Sequence, residues 1–295
     1  ALACFELVAV PTERDAANLR AYCARELDAT LLPAGALRLR GRPVRVVVQP
    51  PGIDASTRAA EAAVARTVAR ADLFAFDAVD ASRALPQRLR AYSRVLARCE
   101  ARGEHPSLLQ LLAPAPPDPN ARALRRRVLA LAMRINGRHG DPDTTPVRCV
   151  ESAGAPAELA ALQRASRVGL FTPIADAVGI GAQDWVACQD PGDPGVLVLS
   201  RHAATAPWLD GALLVDARDP NDCATAIERA LAMPLVERRN RWQCAWRALV
   251  QRDGGRWLET LLARWRDDHV REALSSHRVV AMRPPAIAAA CDPQR

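Results

Sequence analysis

Apolar residues along this chain fall into short runs of four or five and into stripes spaced three and four apart, and the two patterns alternate almost to the end. Residues 1–10 form an apolar run of strand character. Thr12 then caps a helix in which Ala16, Leu19, Cys23 and Leu27 share one face. Residues 37–39 and 44–48, around a turn at Gly41, read as a hairpin. From Asp54 onward strands and amphipathic helices take turns. A strand at 73–76 precedes a helical stripe of Leu85, Leu89, Tyr92, Leu96 and Cys99. A strand at 108–112 precedes a helix lined by Leu124, Val128, Leu131 and Ile135 and ended by Gly137. Further strands are expected at 147–150, 168–171, 196–199 and 213–215. Helices lie around Leu159 and Leu162, and along Cys223, Ile227, Ala230 and Leu231. Residues 233–265 read as two helices broken near Gly254-Gly255, with Trp242, Trp246, Trp257 and Trp265 as packing residues. Residues 275–295 carry no periodicity and read as a loose tail. The alternation argues for an α/β fold, a Rossmann-like parallel sheet with helices on both faces.

One unit stands out for chemistry. The strand at 168–171 is closed by Thr172-Pro173, Gly179 and Gly181 allow a tight turn, and a helix opens at Ala182. Such a strand–loop–helix unit aims free backbone N–H groups above the sheet edge, which suits an anionic or hydroxyl-rich ligand.

Composition narrows the classes. At 295 residues and 49% hydrophobic, the chain can bury a sizeable core in one or two domains. No apolar run approaches the length of a membrane span. No basic-then-apolar leader stands at residue 1, although the start looks cut from a longer chain. All 40 basic side chains are arginine, and the net charge is +7. These arginines are spread along helices rather than clustered with aromatics, so no nucleic-acid face is expected. The eight cysteines show no C-x-x-C pair and no histidine at ligand spacing. They read as small core residues in a reducing cytoplasm, and neither a metal nor a cofactor is expected. His139 and His202 have no Ser or Cys nucleophile at recognisable spacing, and Ser200 and Asp216 read as loop caps.

The unit after Val168 resembles the donor-sugar loop of the trehalose-6-phosphate synthases, retaining glycosyltransferases with the pattern T-P-L-R-D-G-M-N-L-V-A-K-E-Y-V-A-x-Q. Thr172, Pro173, Asp176, Ala182, Val186, Ala187 and Gln189 match it. Ala175 stands for its Arg, Ala177 for its Gly, Gly179 for its Asn, Gln183 for its Lys and Asp184 for its Glu. Other phrases resemble the family in order: L-V-A-V-P-T-E-R-D, P-G-I-D at Asp54, L-P-Q-R-L-R-A-Y, R-I-N-G-R-H-G and I-E-R-A-L-A-M-P-L-V-E-R. Together they cover about residues 7–267. The resemblance implies a two-lobed GT-B architecture. Residues 1–52 would be the end of the first lobe and 53–274 the Rossmann-like second lobe with its crossing helices. It also implies transfer of glucose from UDP-glucose to glucose 6-phosphate.

Several family positions are altered. The Arg and Lys of R-L-D-Y-I-K-G that hold the donor phosphates correspond to Ala78 and Arg83, so one charge is absent. Asp176 takes the place of the aspartate that binds sugar hydroxyls, or caps its loop as an Asx turn. Asp184 takes the place of the ribose carboxylate, or complements a helix dipole. Gly179, Ile180 and Gly181 supply loop amides. Pro117 stands where the acceptor-phosphate Arg follows A-P-T-S, and cannot donate. The resemblance therefore implies a glucosyltransferase with activity weak or lost. The alternatives are a non-catalytic module that binds a nucleotide sugar or a partner, and a degenerate fragment. Trp257, Leu258, Leu261, Leu262 and Trp265 are expected to leave an apolar patch for self-association or a partner.

Overall fold

A computed structural model describes residues 2–64, 71–114, 117–141, 143–152, 155–176 and 178–266. The tail expected at 275–295 lies outside the described residues. The chain divides into two compact units, Ala1–Trp257 and Leu258–Arg295. Both sheets and the candidate site lie in the first.

The smaller sheet comes first. The expected strand at 1–10 shrinks to β1 (Leu7–Val10), because a 3-10 turn occupies Leu2–Cys4. Thr12 caps α1 (Glu13–Glu26) by accepting from the Asp15 N–H at 3.1 Å. Ala16 and Cys23 bury that helix's apolar face, with Leu19 packed alongside. Leu27 is instead the exposed C-cap, one residue too late to share the stripe. After β2 (Thr30–Leu31), the expected hairpin is present as β3 (Leu37–Leu39) and β4 (Arg42–Val48). Its turn puts both Arg40 and Gly41 at positive φ, 50° and 81°, the twist that a two-residue hairpin loop requires. The strand order is β1-β4-β3-β2, with β1 parallel to β4 and the rest antiparallel.

The chain passes out of β4 through Pro50-Pro51-Gly52. A β-carbon at Gly52 would lie 1.8 Å from the backbone oxygen of Arg252, so only glycine fits the crossing. Asp54 then caps α2 (Ala55–Val64) through the Thr57 N–H at 2.9 Å.

The larger sheet holds β5 (Leu73–Asp77), β6 (Leu108–Leu112), β7 (Val147–Glu151), β8 (Val168–Phe171), β9 (Val196–Ser200) and β10 (Leu213–Val215). All its pairings are parallel, in the order β10-β9-β8-β5-β6-β7. Alternate strand residues face opposite ways. Leu73, Ala75, Leu108, Val168, Leu170, Val196 and Val198 pack against α3 (Leu85–Glu100), α4 (Pro119–His139) and α7 (Pro220–Ala232). Phe74, Leu109, Leu111, Phe171, Leu197 and Leu199 face α6 (Ile180–Cys188) and α8 (Leu235–Val250), while α5 (Pro156–Ala165) adds Leu159 and Leu162. Trp185 of α6 anchors this second layer, 1% exposed and stacked 6.1 Å from Phe74. At ~25 cal/mol per Å² over roughly 200 Å², its burial stabilises the fold by about 5 kcal/mol.

Two helix boundaries differ from expectation. Gly137 does not end α4, which runs on to His139 and caps on Gly140. Asn136 explains the extra turn, since its side chain bonds the Val147 N–H at 2.8 Å and the Val147 carbonyl at 2.9 Å, tying the helix end to β7. At the C-terminal side, α8 stops at Val250 and a further helical run opens at Gly254. Trp242 and Trp246 stack at 5.6 Å against the second layer, and Trp257 Nε1 donates to the Gln49 carbonyl at 3.3 Å. Leu258, Leu262 and Trp265 are exposed.

Candidate functional site

In an open parallel sheet, ligands bind beyond the carboxyl ends of the strands where the strand order reverses. Here that point lies between β5, the first strand of the sheet, and β8, the fourth. The β5–β6 ladder runs the whole strand to Asp77↔Leu112, whereas β5 and β8 pair only at Leu73↔Val168 and Phe74↔Gly169. Past Phe74 the two strands part.

A buried polar cluster fills the gap. Arg88 reaches in from α3, donating from Nε to Thr172 Oγ1 at 3.0 Å and from Nη1 to Gln110 Oε1 at 3.0 Å and to Asp77. Gln110 Nε2 donates in turn to Asp77 Oδ2 at 3.2 Å. The Arg88 and Asp77 side chains are 1% and 5% exposed, so each charge depends on the other. The cluster joins the ends of β5, β6 and β8 beneath the loops that carry the candidate residues. Neither Arg88 nor Gln110 is among the candidates that motif spacing singles out, although two signals mark them. Arg88 sits inside the stripe Leu85–Leu89–Tyr92, and Gln110 interrupts an otherwise apolar strand.

The loop after β5 is short and held by its own polar groups. Asp80 caps a 3-10 turn, Ala81–Arg83, through the Ser82 N–H at 2.7 Å. Ala84, where the resembled motif has glycine, closes the loop at φ +52°. The loop after β8 leans on it, because the Ser82 carbonyl accepts from the Ile174 N–H at 2.6 Å and the Ala175 N–H at 3.4 Å. Arg83 and Asp176 thereby meet across the crevice, Nη1 to Oδ1 at 3.2 Å. Asp176 Oδ1 also accepts from the Val178 N–H at 3.4 Å, the loop-capping contact expected of an Asx turn. Ala78 and Ala175 are exposed and bring no charge. Ala177 lies outside the described residues.

Gly179 begins α6 in the left-handed region, at φ +68°. A β-carbon there would also meet Thr205 Cγ2 at 2.5 Å. The helix starts at Ile180, two residues before Ala182, and its first N–H groups have no intrahelical acceptor. Ile180 is exposed and Gly181 half-buried. Gln183 turns inward and donates to the Pro51 carbonyl at 3.1 Å, which takes it away from any ligand. Asp184 accepts from Arg58 Nε of α2 at 3.0 Å, and Arg58 also binds Glu61 at 2.6 Å. Burial pushes the Asp184 carboxyl up from its ordinary range, and the Arg58 charge only partly offsets this. Pro117 is exposed just before the Asp118 cap of α4.

Elsewhere the histidines find structural partners. His202 lies beside Arg218, at 2.8 Å, and Ser200 and Asp216 cap the loops after their strands. His139 does have a hydroxyl nearby, contrary to the spacing argument: Ser93 Oγ is 3.4 Å from Nε2, and Glu100 Oε1 is 2.6 Å from Nδ1. Both partners sit on α3, so the contact ties α4 to α3. Among the described residues no group of three or more His, Cys, Asp or Glu side chains could hold a metal, and no helix is long and apolar enough to cross a membrane. An open groove of about 900 Å³ is lined by Asp72, Cys99 and Glu228, at the opposite edge of the sheet.

A doubly wound parallel sheet whose strand order reverses between β5 and β8 defines a Rossmann-like α/β fold. The comparisons with known proteins narrow that class. The profile of Glycosyltransferase family 20 matches residues 1–267, and the chain belongs to this family. It is 34% identical over 270 residues to a trehalose-6-phosphate synthase of Sinorhizobium fredii, covering 88% of this chain and 58% of that protein. Among solved structures, it superposes with TM-score 0.82 and 32% identity on a UDP-forming α,α-trehalose-phosphate synthase of Burkholderia xenovorans in complex with glucose 6-phosphate, covering 89% of this chain and 61% of that one. It also superposes on the E. coli trehalose-6-phosphate protein bound with UDP-2-fluoro glucose, with TM-score 0.81, 28% identity and coverage of 89% and 61%. These neighbours place the fold in the GT-B class. The chain spans about 60% of their length.

Proposed function

We propose that this chain is the donor-binding part of a trehalose-6-phosphate-synthase-type glucosyltransferase, and that its ligand is a nucleotide sugar of the UDP-glucose kind. The observation that carries the reading is the meeting of Arg83 and Asp176 over the switch point, at the positions where the family holds donor phosphate and sugar hydroxyls. Related proteins have been solved with glucose 6-phosphate and with a UDP-sugar analogue, which supports the same ligand class.

Transfer to glucose 6-phosphate is weak or lost in this reading. A retaining transferase must stabilise charge on the departing diphosphate and hold the acceptor against the anomeric carbon. Ala78 leaves one phosphate donor out, a loss of about 2.7–4 kcal/mol of transition-state stabilisation by analogy with oxyanion donors. Pro117 removes an acceptor-side cation. Those two positions favour the second reading, a module that binds nucleotide sugar without turnover. Such a module fits association with a partner. Phe5 is 57% exposed, Leu31 59%, and all of β1 is only partly buried at a sheet edge, the kind of edge to which another strand adds.

Titration of UDP-glucose against the 295-residue chain, with a coupled assay for UDP release, tests both readings. Saturable binding with no release dependent on glucose 6-phosphate is expected. Release that requires glucose 6-phosphate would restore the active enzyme, and absence of binding would leave the degenerate fragment.

A further inference from the structure

We propose that Arg83 and Asp176 form a latch across the switch point, one that favours ligands carrying both phosphate and sugar hydroxyls over a nucleoside diphosphate alone. The proposal rests on the donor-site reading above and assigns the ion pair a role in selectivity.

The two partners differ in how firmly they are held. Asp176 is pinned by its backbone, which bridges Ala203 and accepts from the Ala204 N–H at 3.1 Å, and by its side chain, which accepts from the Val178 N–H. Its side chain is 11% exposed, against 32% for Arg83. Arg83 is therefore the member free to swing. It is also poorly satisfied where it rests, because Nε is buried without a hydrogen-bond partner. Two phosphate oxygens can meet a guanidinium fork in a bidentate manner, so a diphosphate has the means to draw Arg83 off Asp176.

Asp176 bears the consequence. Once Arg83 leaves, a largely buried carboxylate keeps, among the described residues, the Val178 N–H, and a buried charge without a counter-charge is costly. A nucleotide sugar brings glucosyl hydroxyls that can donate to the freed oxygens, whereas UDP brings phosphate and nothing for Asp176. The pair thus penalises UDP and spares UDP-glucose. A partly exposed ion pair is worth up to about 1 kcal/mol, so the penalty on UDP is at most roughly fivefold.

The experiment is a titration of UDP and UDP-glucose by NMR or calorimetry against the full chain and the variants Asp176→Asn, Arg83→Gln and their double. Asp176→Asn is expected to tighten UDP by about threefold to fivefold, with no gain for UDP-glucose, and the double variant should lose that gain. If both ligands bind the parent chain but Asp176→Asn leaves UDP unchanged or weaker, the latch is wrong and the donor site stands. If neither ligand binds any variant, the donor-site reading fails and the latch with it. Melting curves of the four ligand-free proteins separate misfolding from lost binding. They also give the coupling between the two side chains, and strictly additive effects would overturn the latch independently.

Discussion

Replacing Arg88 by methionine isolates the role of the polar cluster under the site. Methionine fills most of the arginine stem's volume but removes the hydrogen bonds that Arg88 gives to Asp77, Gln110 Oε1 and Thr172 Oγ1. Asp77 would then be a carboxylate 5% exposed with only the Gln110 amide at 3.2 Å. Breaking a buried pair from one side costs about 3–5 kcal/mol, against a total stability of roughly 5–15 kcal/mol. Replacing both charges, as Arg88→Met with Asp77→Leu, should recover most of that. The remaining deficit of about 1–3 kcal/mol comes from the unpartnered Gln110 oxygen and Thr172 hydroxyl. Urea denaturation followed by tryptophan fluorescence reads both, with m held constant as the test that only stability has changed. The reasoning fails if Arg88→Met costs less than about 1 kcal/mol, or if the double variant is as unstable as the sum of the singles. Because the cluster joins the strand ends that carry Arg83 and Asp176, nucleotide affinity should fall in Arg88→Met and return in part in the double.

Three further outcomes are expected. Ala84→Gly should stabilise by about 0.5–1 kcal/mol, since leaving the left-handed penalty behind outweighs the extra freedom of glycine in the unfolded chain; a lower urea midpoint would contradict it. Asp184→Asn should stabilise at pH 7. Burial raises this carboxyl above 3.8, so the folded state holds the proton more tightly than the unfolded one. Ionisation therefore costs stability above the folded pKa, and that cost vanishes as the pH drops below 3.8. The advantage should fade in acid, and a loss at pH 7 would mean that the Arg58 pair outweighs burial. Ala78→Arg should tighten UDP by roughly tenfold and leave uridine unchanged, because only UDP has phosphates to meet the restored charge; equal effects on both in a titration would refute it.

Pattern alone determined most of the secondary structure. Short apolar runs such as the one that opens β9 (Val196–Ser200) are strands because a parallel sheet buries them on both faces, and the stripe from Leu85 to Cys99 became α3 with every one of its members buried. The family was also legible, since it rests on residue types at fixed spacing along most of the chain, and the same spacing singled out Arg83, Asp176 and Asp184 as candidates. What the sequence could not decide is which side chains those residues choose as partners. Asp184 turned to Arg58, 126 residues away, and Gln183 to the Pro51 carbonyl. Gly137 failed to end α4 because Asn136 found β7 beyond it. Arg88 lies within an apolar stripe, and only the parting of β5 from β8 gives it a polar gap to fill. Local periodicity reports how each segment meets water, and it carries no information on contacts closed by distant segments. Those contacts exist only once the parallel sheet has brought the strand ends to one edge.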